Sequence, residues 1–196
     1  MNYQMIKEIK KYAEEENVPI MQDEGINFLT NFIVNNKIKS VLEIGTAIGY
    51  SAIMMALSDP KLMVVTIERD EERYKEALKN IKKFGLDDRI TLIFKDALDV
   101  NIKGKFDLIF LDGAKGQNIN FFEHFENNLS EDGYIITDNI NFHGYVEKDE
   151  EEIKSRNLRG LVRKIKKYIE YLKTNKKYET VFYQKGDGIS VTHKKQ

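Results

Sequence analysis

Three polar residues follow two short apolar runs of the sequence, at places where strands are expected to end. Asp112 closes the run KFDLIFLD, and Asp138 and Asn139 close the run GYIITDN. If these runs are neighbouring parallel strands, the three side chains project from strand tips roughly 5 Å apart. Carboxylate and amide oxygens suit Mg²⁺ or a similar divalent cation, with the remaining positions left to water and substrate. The pattern predicts a metal site at Asp112, Asp138 and Asn139.

A lysine lies beside this predicted site. Lys115 follows Asp112 by three residues, within one turn of the same loop. Its amine can therefore reach the crevice that holds the carboxylates. A lysine there could stabilise an oxyanion or accept a proton, so we predict a catalytic role for Lys115.

A glycine-containing turn lies earlier in the chain, in VLEIGTAIGYSA, residues 41–52. Gly45 and Gly49 bracket a change from strand to helix, where a ligand can approach the backbone and the helix N-terminus supplies amide donors. The dinucleotide pattern G-x-G-x-x-G does not fit, because alanine and tyrosine occupy two of the positions that it needs. The run instead reads E-x-G-x-A-x-G, with Glu43 two residues before the first glycine.

An acid follows this turn at a spacing that suits a nucleoside ligand. Glu68 ends LMVVTIE, the next apolar run after the one that leads into Gly45. An acid at the tip of the neighbouring strand can accept both ribose hydroxyls of an adenosine-containing ligand. Alone, Glu68 could equally be a solvated charge at a strand end, but Glu43, Gly45 and Gly49 favour the ligand.

The hydrophobic pattern predicts the elements that hold these residues. Five runs are too continuously apolar for a one-sided sheet and are typical of strands buried on both faces. They are SVLEIG, LMVVTIE, RITLIFKD, KFDLIFLD and GYIITDN. Amphipathic helices alternate with them, most clearly over Glu71 to Phe84. Repeated strand, helix, strand units imply right-handed crossovers, a Rossmann-like, doubly wound α/β fold, and a ligand crevice at the strand carboxyl ends.

Both ends of the chain add to this sheet. Apolar residues at helical spacing predict one helix that stops before Pro19 and a second that begins near Asp23 as its N-cap. We therefore expect one domain over residues 1–196, with N-terminal helices in 1–37 and the core in 38–196. The last two runs, YETVFYQ and GISVTHK, predict an antiparallel hairpin at the sheet edge.

The stretch from Asn139 to about Asn157 is too long for an ordinary connection and is typical of a lid or binding loop, or of a plain surface excursion. His143 lies in it and could touch substrate. The other histidines have no mutual ligand spacing. We expect His124 to pack on a helix and His193 to lie at a strand edge.

Composition limits the classes of function. Hydrophobic residues make up 41% and charged residues 32% of the chain, the net charge is -1, and there is no cysteine. Disulfides, thiolate metal sites and cysteine nucleophiles are therefore excluded. No apolar run approaches the length of a membrane span, and the N-terminal segment before Met21 carries charges throughout. We expect a soluble, cytoplasmic protein with no membrane partner.

Four segments together carry a resemblance to a known family: VLEIGTAIGYSA, TIERDEERYKEA, FLDGAKGQ and ITDN. They resemble the metal-dependent, class I S-adenosylmethionine O-methyltransferases, which include catechol and caffeoyl-coenzyme A methyltransferases. Within that family, VPIMQDEGINFL, GLDDRI and GDGISV resemble the short bacterial tRNA 5-hydroxyuridine methyltransferases, which form 5-methoxyuridine at the wobble position. The resemblance spans roughly Val18 to the C-terminus and implies strand order 3-2-1-4-5-7-6 and a homodimer.

The resemblance also implies a site, residue by residue. S-adenosylmethionine would be the cofactor, Asp112, Asp138 and Asn139 would bind Mg²⁺ or a similar cation, and Lys115 would be the catalytic residue. The family holds the adenine edge at the end of the third strand. The cofactor-binding residues would be Met21, Glu43, Gly45, Ser51, Glu68, Asp96, Ala97 and Asp112, with Met21 near the methyl end. Gly113 departs from the pattern, since relatives commonly have a bulkier residue there.

The acceptor is harder to predict. Catechol and 5-hydroxyuracil both offer two neighbouring oxygens that one cation can chelate, so one site can serve either. We favour 5-hydroxyuridine in tRNA, with a small catechol-like phenol as the alternative acceptor. A noncatalytic nucleotide-binding or RNA-binding module is the alternative of another class, against which the intact acid pair argues.

A basic segment favours RNA. Residues 153–177 contain ten basic residues and one acid, a net charge of +9 that leaves -10 for the rest of the chain. Because it follows the predicted lid, this segment could contact phosphates that flank a tRNA anticodon loop. The residues that we expect to make those contacts are Arg156, Arg159, Arg163 and Lys167. A solvated helix face balanced by the acidic run Glu147 to Glu152 is the alternative.

Overall fold

Two amphipathic helices open the chain, as predicted. In the computed structural model, which describes residues 2–195, they are α1 (Asn2–Glu15) and α2 (Asp23–Asn35). The predicted cap of α2 is wrong by one residue. Gln22 occupies the cap position without a side-chain bond, while Asp23 begins the helix and its carboxylate pairs with Lys10 of α1. That ion pair joins the two helices where a cap had been expected.

A seven-stranded sheet forms the centre, in the predicted order β3-β2-β1-β4-β5-β7-β6. The five strands β1 to β5 run parallel, and β7 is antiparallel to both β5 and β6. The strands are β1 (Ser40–Ile44), β2 (Met63–Glu68), β3 (Ile90–Phe94), β4 (Phe106–Leu111), β5 (Leu129–Asp138), β6 (Tyr178–Tyr183) and β7 (Ile189–Lys194).

Helices cover both faces of the sheet, which confirms the doubly wound fold. They are α3 (Tyr50–Ser58), α4 (Glu71–Lys83), α5 (Asn118–Phe125) and α6 (Arg156–Lys173). Side chains of the central strand β1 alternate between two hydrophobic clusters. Val41 belongs to the cluster that includes α1 to α4, while Leu42 and Ile44 belong to the cluster that includes α5 and α6. Burial on both faces explains why the strand runs are so continuously apolar.

Two details differ from the prediction. β5 begins at Leu129, four residues before the predicted run, and its pairing with β4 shifts register between Phe106 and Leu108. His193 is not at a sheet edge, because β6 adds outside β7 and His193 is paired with both Tyr134 and Glu179. The hairpin does close the sheet edge, with β6 as its outermost strand.

The long stretch after Asn139 contains only two short 3-10 turns, Tyr145–Glu147 and Glu150–Glu152, before α6 begins at Arg156. His124 lies on α5, as expected, and its Nε2 is 2.9 Å from the carbonyl oxygen of Val100. Within residues 2–195, no helix is both long enough and apolar enough to cross a membrane.

Candidate active site

The turn after β1 lies directly against the loop after β4. Gly45 has φ +100°, and a Cβ atom added to it would lie 2.6 Å from the backbone oxygen of Asp112. No side chain fits at that distance, so only glycine allows the two backbones to approach this closely. The Asp112 amide also donates to the carbonyl of Ile44 at 2.9 Å. The predicted cofactor turn and the predicted metal loop therefore form one continuous surface.

Glu43 lies on β1 and joins the elements on either side of this turn through its buried carboxylate. Its side chain is fully buried, and its two oxygens accept hydrogen bonds from Ser51 Oγ and Thr66 Oγ1, each at 2.5 Å. Burial raises the pKa of Glu43 to about 7, against the opposing effect of these two hydroxyl donors. Ser51 lines the cavity described below, but Glu43 does not. The contact between Glu43 and the cofactor stays a prediction, while its bonds join β1, β2 and α3.

Replacing Glu43 with glutamine should flatten part of the pH dependence of stability. A carboxyl whose folded pKa lies near 7, above the 4.5 expected when unfolded, stabilises the fold fully below pH 4.5 and loses that contribution as the pH rises through 7. The lost contribution is about 2 to 3 kcal/mol. Between pH 5 and pH 8, the free energy of unfolding in urea should fall by that much more for the wild-type protein than for Glu43→Gln. Parallel stability profiles for the two proteins would contradict a raised pKa.

Glu68 ends β2 and lines the cavity, where the sequence placed it. Only 6% of the residue is exposed. Its carboxylate accepts three backbone N–H groups, from Ala47 at 2.8 Å, Arg69 at 2.9 Å and Asp70 at 2.8 Å. These bonds fix the carboxylate beside the glycine turn, so that it is held in place before any ligand binds.

Asp96 and Ala97 follow β3 and line the same cavity. The Asp96 carboxylate accepts the Leu98 amide at 3.1 Å and pairs with Arg69 at 3.0 Å. The hydrogen bond from the Leu98 amide has the largest effect in lowering the pKa of Asp96, and the hydrogen bond from Arg69 lowers it further. This arrangement shapes the turn that begins at Ala97, on the side of the cavity next to Glu68.

The predicted metal residues lie at two adjacent strand ends. Leu111 of β4 pairs with Thr137 of β5, so Asp112 and Asp138 follow neighbouring positions. Asp138 is 3% exposed. This burial is the main cause of its raised pKa, and the nearby charge of Asp112 raises the pKa further. Lys115 Nζ donates to Asp112 Oδ1 at 2.6 Å. The structure therefore brings Asp112, Asp138 and Lys115 to one place, and their roles stay predictions.

This donor set suits a divalent cation. Among residues 2–195, no three carboxylate, histidine or cysteine side chains cluster as metal ligands, so a site would need the amide of Asn139 beside Asp112 and Asp138. Two neighbouring carboxylates, one of them buried, repel each other unless positive charge lies between or beside them. Lys115 supplies one positive charge to Asp112. A cation with oxygen ligands would relieve the remaining repulsion, so the residues fit the group.

One cavity of about 440 Å³ joins these parts. Of the predicted cofactor, metal and catalytic residues, all but Glu43 line it. They are Met21, Gly45, Ser51, Glu68, Asp96, Ala97, Asp112, Lys115, Asp138 and Asn139. His143 lines it as well, from the predicted lid. The four predicted RNA contacts do not line the cavity.

Three aromatic residues in the wall were not predicted as site residues, namely Tyr50, Phe121 and Phe142. Phe142 lies beside His143 in the predicted lid and has φ +45°. Tyr50 begins α3 and Phe121 belongs to α5. A Cβ atom added to Gly113 would lie 3.1 Å from Phe121 Cε2. The small residue at position 113 thus leaves room for the Phe121 ring beside the metal loop. The unusual glycine in DGAKGQ was the only sequence signal of this, while nothing in the pattern distinguished Phe142.

The basic helix α6 packs against the turn that contains Lys115. A Cβ atom added to Gly116 would lie 3.2 Å from Lys164 Cδ. Two of the predicted RNA contacts are already engaged within the chain. Arg163 donates through Nε and Nη2 to the two carboxylate oxygens of Glu150, and Arg159 donates to the Ile153 carbonyl at 2.8 Å. The acidic run therefore balances part of the basic charge.

The other two predicted RNA contacts are exposed. Arg156 begins α6 and Lys167 lies near its middle, and the structure pairs neither with an acid among residues 2–195. These two cations are available to a polyanion without first breaking an ion pair within the described part of the chain.

Known proteins resemble the chain along its whole described length. A family model described as O-methyltransferase matches residues 2–195. An Arabidopsis thaliana protein, provisionally named a caffeoyl-CoA O-methyltransferase, is 34% identical over 162 residues, which cover 77% of this chain and 69% of the relative.

Two solved structures extend the comparison. A Staphylococcus aureus protein, also provisionally named a caffeoyl-CoA O-methyltransferase, is 35% identical with a TM-score of 0.91 and covers 97% of this chain and 92% of its own. A Podospora anserina methyltransferase bound to S-adenosylhomocysteine is 22% identical, with a TM-score of 0.87 over 98% of this chain and 88% of its own. The second likeness concerns the fold alone.

Proposed function

Because this chain belongs to the O-methyltransferase family and is an S-adenosylmethionine-dependent O-methyltransferase, we propose that it methylates a hydroxyl group next to a second oxygen, with the help of a divalent cation. The observation that carries the proposal is the shared cavity. It has the Glu68 carboxylate at one side and Asp112, Asp138 and Lys115 at the other.

The donor half of the cavity would hold S-adenosylmethionine. Glu68, kept in place by three amide donors, would accept the ribose hydroxyls. Asp96 and the backbone of Ala97 would meet the adenine edge. The turn at Gly45 approaches Asp112 so closely that the sulfonium end of the donor would be directed toward the carboxylate pair. Met21, which lines the cavity from the segment before α2, would pack near the methyl group.

The acceptor half would be organised by Asp112, Asp138 and Asn139. A divalent cation bound there would supply a Lewis acid that makes an acceptor hydroxyl easier to deprotonate. Lys115 donates to Asp112 and therefore lies where negative charge would develop on the acceptor oxygen. Phe121 and Phe142 would exclude water from the same space. The acceptor hydroxyl would release its proton, and the methyl group would move from sulfur to that oxygen by direct displacement, leaving S-adenosylhomocysteine. Walls that hold both partners in line would favour this step.

We further propose that the acceptor is 5-hydroxyuridine at the wobble position of tRNA. Its 5-hydroxyl and 4-carbonyl oxygens are neighbours, as the site requires. The position of α6 supports a nucleic acid substrate, because the helix packs on the turn of Lys115 and exposes Arg156 and Lys167. Anticodon-loop bases are unstacked and accessible to an enzyme. A tRNA substrate would place the enzyme in the cytoplasm.

Nucleoside analysis tests the acceptor. Purified protein would be incubated with labelled S-adenosylmethionine, Mg²⁺ and tRNA that carries 5-hydroxyuridine without the methyl group. Mass analysis of the digested nucleosides should recover 5-methoxyuridine. Methylation of a free catechol but not of this tRNA would instead identify a small phenol as the acceptor and would leave the O-methyltransferase chemistry standing.

Reversing the charges of Arg156 and Lys167 on α6 should separate RNA binding from chemistry. Arg156→Glu with Lys167→Glu should raise KM for tRNA by about tenfold or more, because phosphate contacts supply most of the affinity. The rate on the free nucleoside should stay within twofold. Lys82→Glu with Lys103→Glu is the matched control, since both lysines are exposed far from the strand carboxyl ends. An unchanged KM for tRNA in the first variant would remove α6 from the RNA surface.

We also propose that the protein is a homodimer, as the resemblance implies. Support comes from the outermost strand β6, which leaves Val181 45% and Tyr183 37% exposed. Apolar residues on an unpaired strand edge are a hazard unless another chain covers them. Light scattering should give twice the mass of a single chain.

A further inference from the structure

Asp187 lies in the turn between β6 and β7, close to the proposed metal site but outside the cavity wall. In the sequence it belongs to the run KGDG, residues 185–188, whose composition is typical of a hairpin turn. The residue is nevertheless only 7% exposed, which is unusual for an aspartate in a surface turn. Such burial calls for hydrogen-bond partners, and the partners of the Asp187 carboxylate belong to the segment from Asn139 to His143.

The carboxylate has contacts at both ends of that segment. Asp187 Oδ1 accepts the His143 amide at 2.5 Å. Asp187 Oδ2 lies 3.4 Å from Asn139 Nδ2 and 3.4 Å from His143 Nδ1. The backbone adds two bonds, from the Asn141 amide to the Asp187 carbonyl at 2.9 Å and from the Ile140 amide to the Gly188 carbonyl at 3.1 Å.

These hydrogen bonds hold residues 139–143 in a strained backbone conformation. Asn139, Phe142 and His143 have φ values of +57°, +45° and +54°. Residues other than glycine adopt this left-handed conformation rarely, and a bulky residue such as Phe142 needs surroundings that hold it there. A Cβ atom added to Gly188 would lie 2.9 Å from the Asn141 nitrogen, so the turn and the segment are in close contact.

The chemistry of the carboxylate also fixes the Asn139 amide. An ionised carboxylate only accepts hydrogen bonds, so the NH₂ group of Asn139 must face Asp187. The Oδ1 atom of Asn139 then faces away from Asp187. Only that oxygen can bind a cation, because the NH₂ group has no lone pair to offer.

We propose that Asp187 is a positioning residue that presents the Asn139 oxygen to the divalent cation and holds Phe142 and His143 over the acceptor end of the cavity. The inference rests on the proposed function. Outer groups of this kind orient the residues that touch a metal, and their loss typically costs about 10- to 100-fold in metal affinity.

Asp187→Asn separates orientation from structure. Its carbonyl oxygen can still accept the His143 amide, so the segment stays fastened. Its NH₂ group would face the NH₂ group of Asn139, and the Asn139 amide would flip to pair with it. The flipped amide would turn its hydrogens toward the cation.

Mn²⁺ binding, followed by the electron paramagnetic resonance signal of the free ion, is the measurement. With S-adenosylhomocysteine present, Asp187→Asn should raise the Kd for Mn²⁺ about 10- to 100-fold, while calorimetry gives a Kd for S-adenosylhomocysteine within twofold of wild type. Glu24→Gln is the control. Glu24 accepts the Gly186 amide at 3.0 Å and so supports the same turn without touching Asn139. Its Mn²⁺ affinity should stay within twofold of wild type.

The outcomes are distinguishable. Wild-type Mn²⁺ affinity in folded Asp187→Asn, or an equal loss in Glu24→Gln, would overturn the positioning role and leave the proposed function intact. A wild-type protein that binds no Mn²⁺ would instead contradict the proposed cation itself. Should Asp187→Asn fail to fold, Asn139→Ala supplies the second test, because Asp187 acts on the cation only through the Asn139 oxygen. Asn139→Ala should raise the Kd for Mn²⁺ about 10- to 100-fold, and an unchanged Kd would overturn the positioning role.

Discussion

Asp138→Asn should lose about 1,000-fold in kcat/KM and, in the absence of divalent cations, become more stable than the wild-type protein. The activity loss follows from removing a charged oxygen from the proposed cation site. Electrostatic stabilisation there is worth several kcal/mol, and about 1.4 kcal/mol corresponds to tenfold in rate. Rates would be measured with saturating S-adenosylmethionine and Mg²⁺ on tRNA that carries 5-hydroxyuridine.

The gain in stability comes from removing the same charge, because that charge is buried beside Asp112 when no cation is bound. Burial and the charge of Asp112 raise the pKa of Asp138, so its contribution to stability is present below its unfolded value of 3.8 and is lost as the pH rises through the folded value. Asparagine has the same shape and no charge to bury. We expect a gain of about 1 to 2 kcal/mol in urea unfolding at pH 8 with chelator present.

Asp132→Asn is the matched control. Asp132 lies on the same strand β5, exposed and near its other end. This variant should change neither activity nor stability appreciably. Full activity in Asp138→Asn would contradict a role for that carboxylate in the reaction, and a loss of stability would contradict the repulsion between the two acids.

Lys115→Met should lower kcat by about 10²- to 10⁴-fold, the range for a positioned acid, base or charge. Methionine keeps most of the side-chain volume and removes the amine that donates to Asp112. The Kd for S-adenosylmethionine should stay within a few fold, because Lys115 lies on the acceptor side of the cavity. Lys103→Met, in the exposed loop before β4, is the control.

Lys115→Arg identifies which role the lysine plays. Arginine keeps the positive charge but does not give up its proton in proteins. Substantial activity in Lys115→Arg would indicate that Lys115 acts by charge, while a loss as large as that of Lys115→Met would indicate proton transfer. A Lys115→Met enzyme with wild-type kcat would exclude both roles.

The parts of the site that could be predicted from the sequence are those tied to strand ends. Asp112 and Asp138 could be placed side by side because parallel strands end at one edge of the sheet, and the apolar runs before them were unambiguous. The turn at Gly45 could be predicted equally well, since its close approach to another backbone requires glycine.

The rest depended on contacts between distant segments. The contact of Glu43 with the cofactor stays a prediction, but the hydrogen bonds that Ser51 and Thr66 donate to both of its oxygens were not predicted, because they join three separate elements. Asp187 looked like an ordinary turn residue because nothing in the local pattern shows that it contacts Asn139. Likewise, the pairing of Arg163 with Glu150 could not be read from a count of charges.

The central claim is that a divalent cation, held at the ends of β4 and β5, assists methyl transfer to an acceptor oxygen. The most direct test measures transfer of labelled methyl from S-adenosylmethionine to 5-hydroxyuridine tRNA in excess chelator, before and after Mg²⁺ is restored. We predict that transfer falls to background in chelator and returns fully with Mg²⁺. An undiminished rate in excess chelator would contradict the claim.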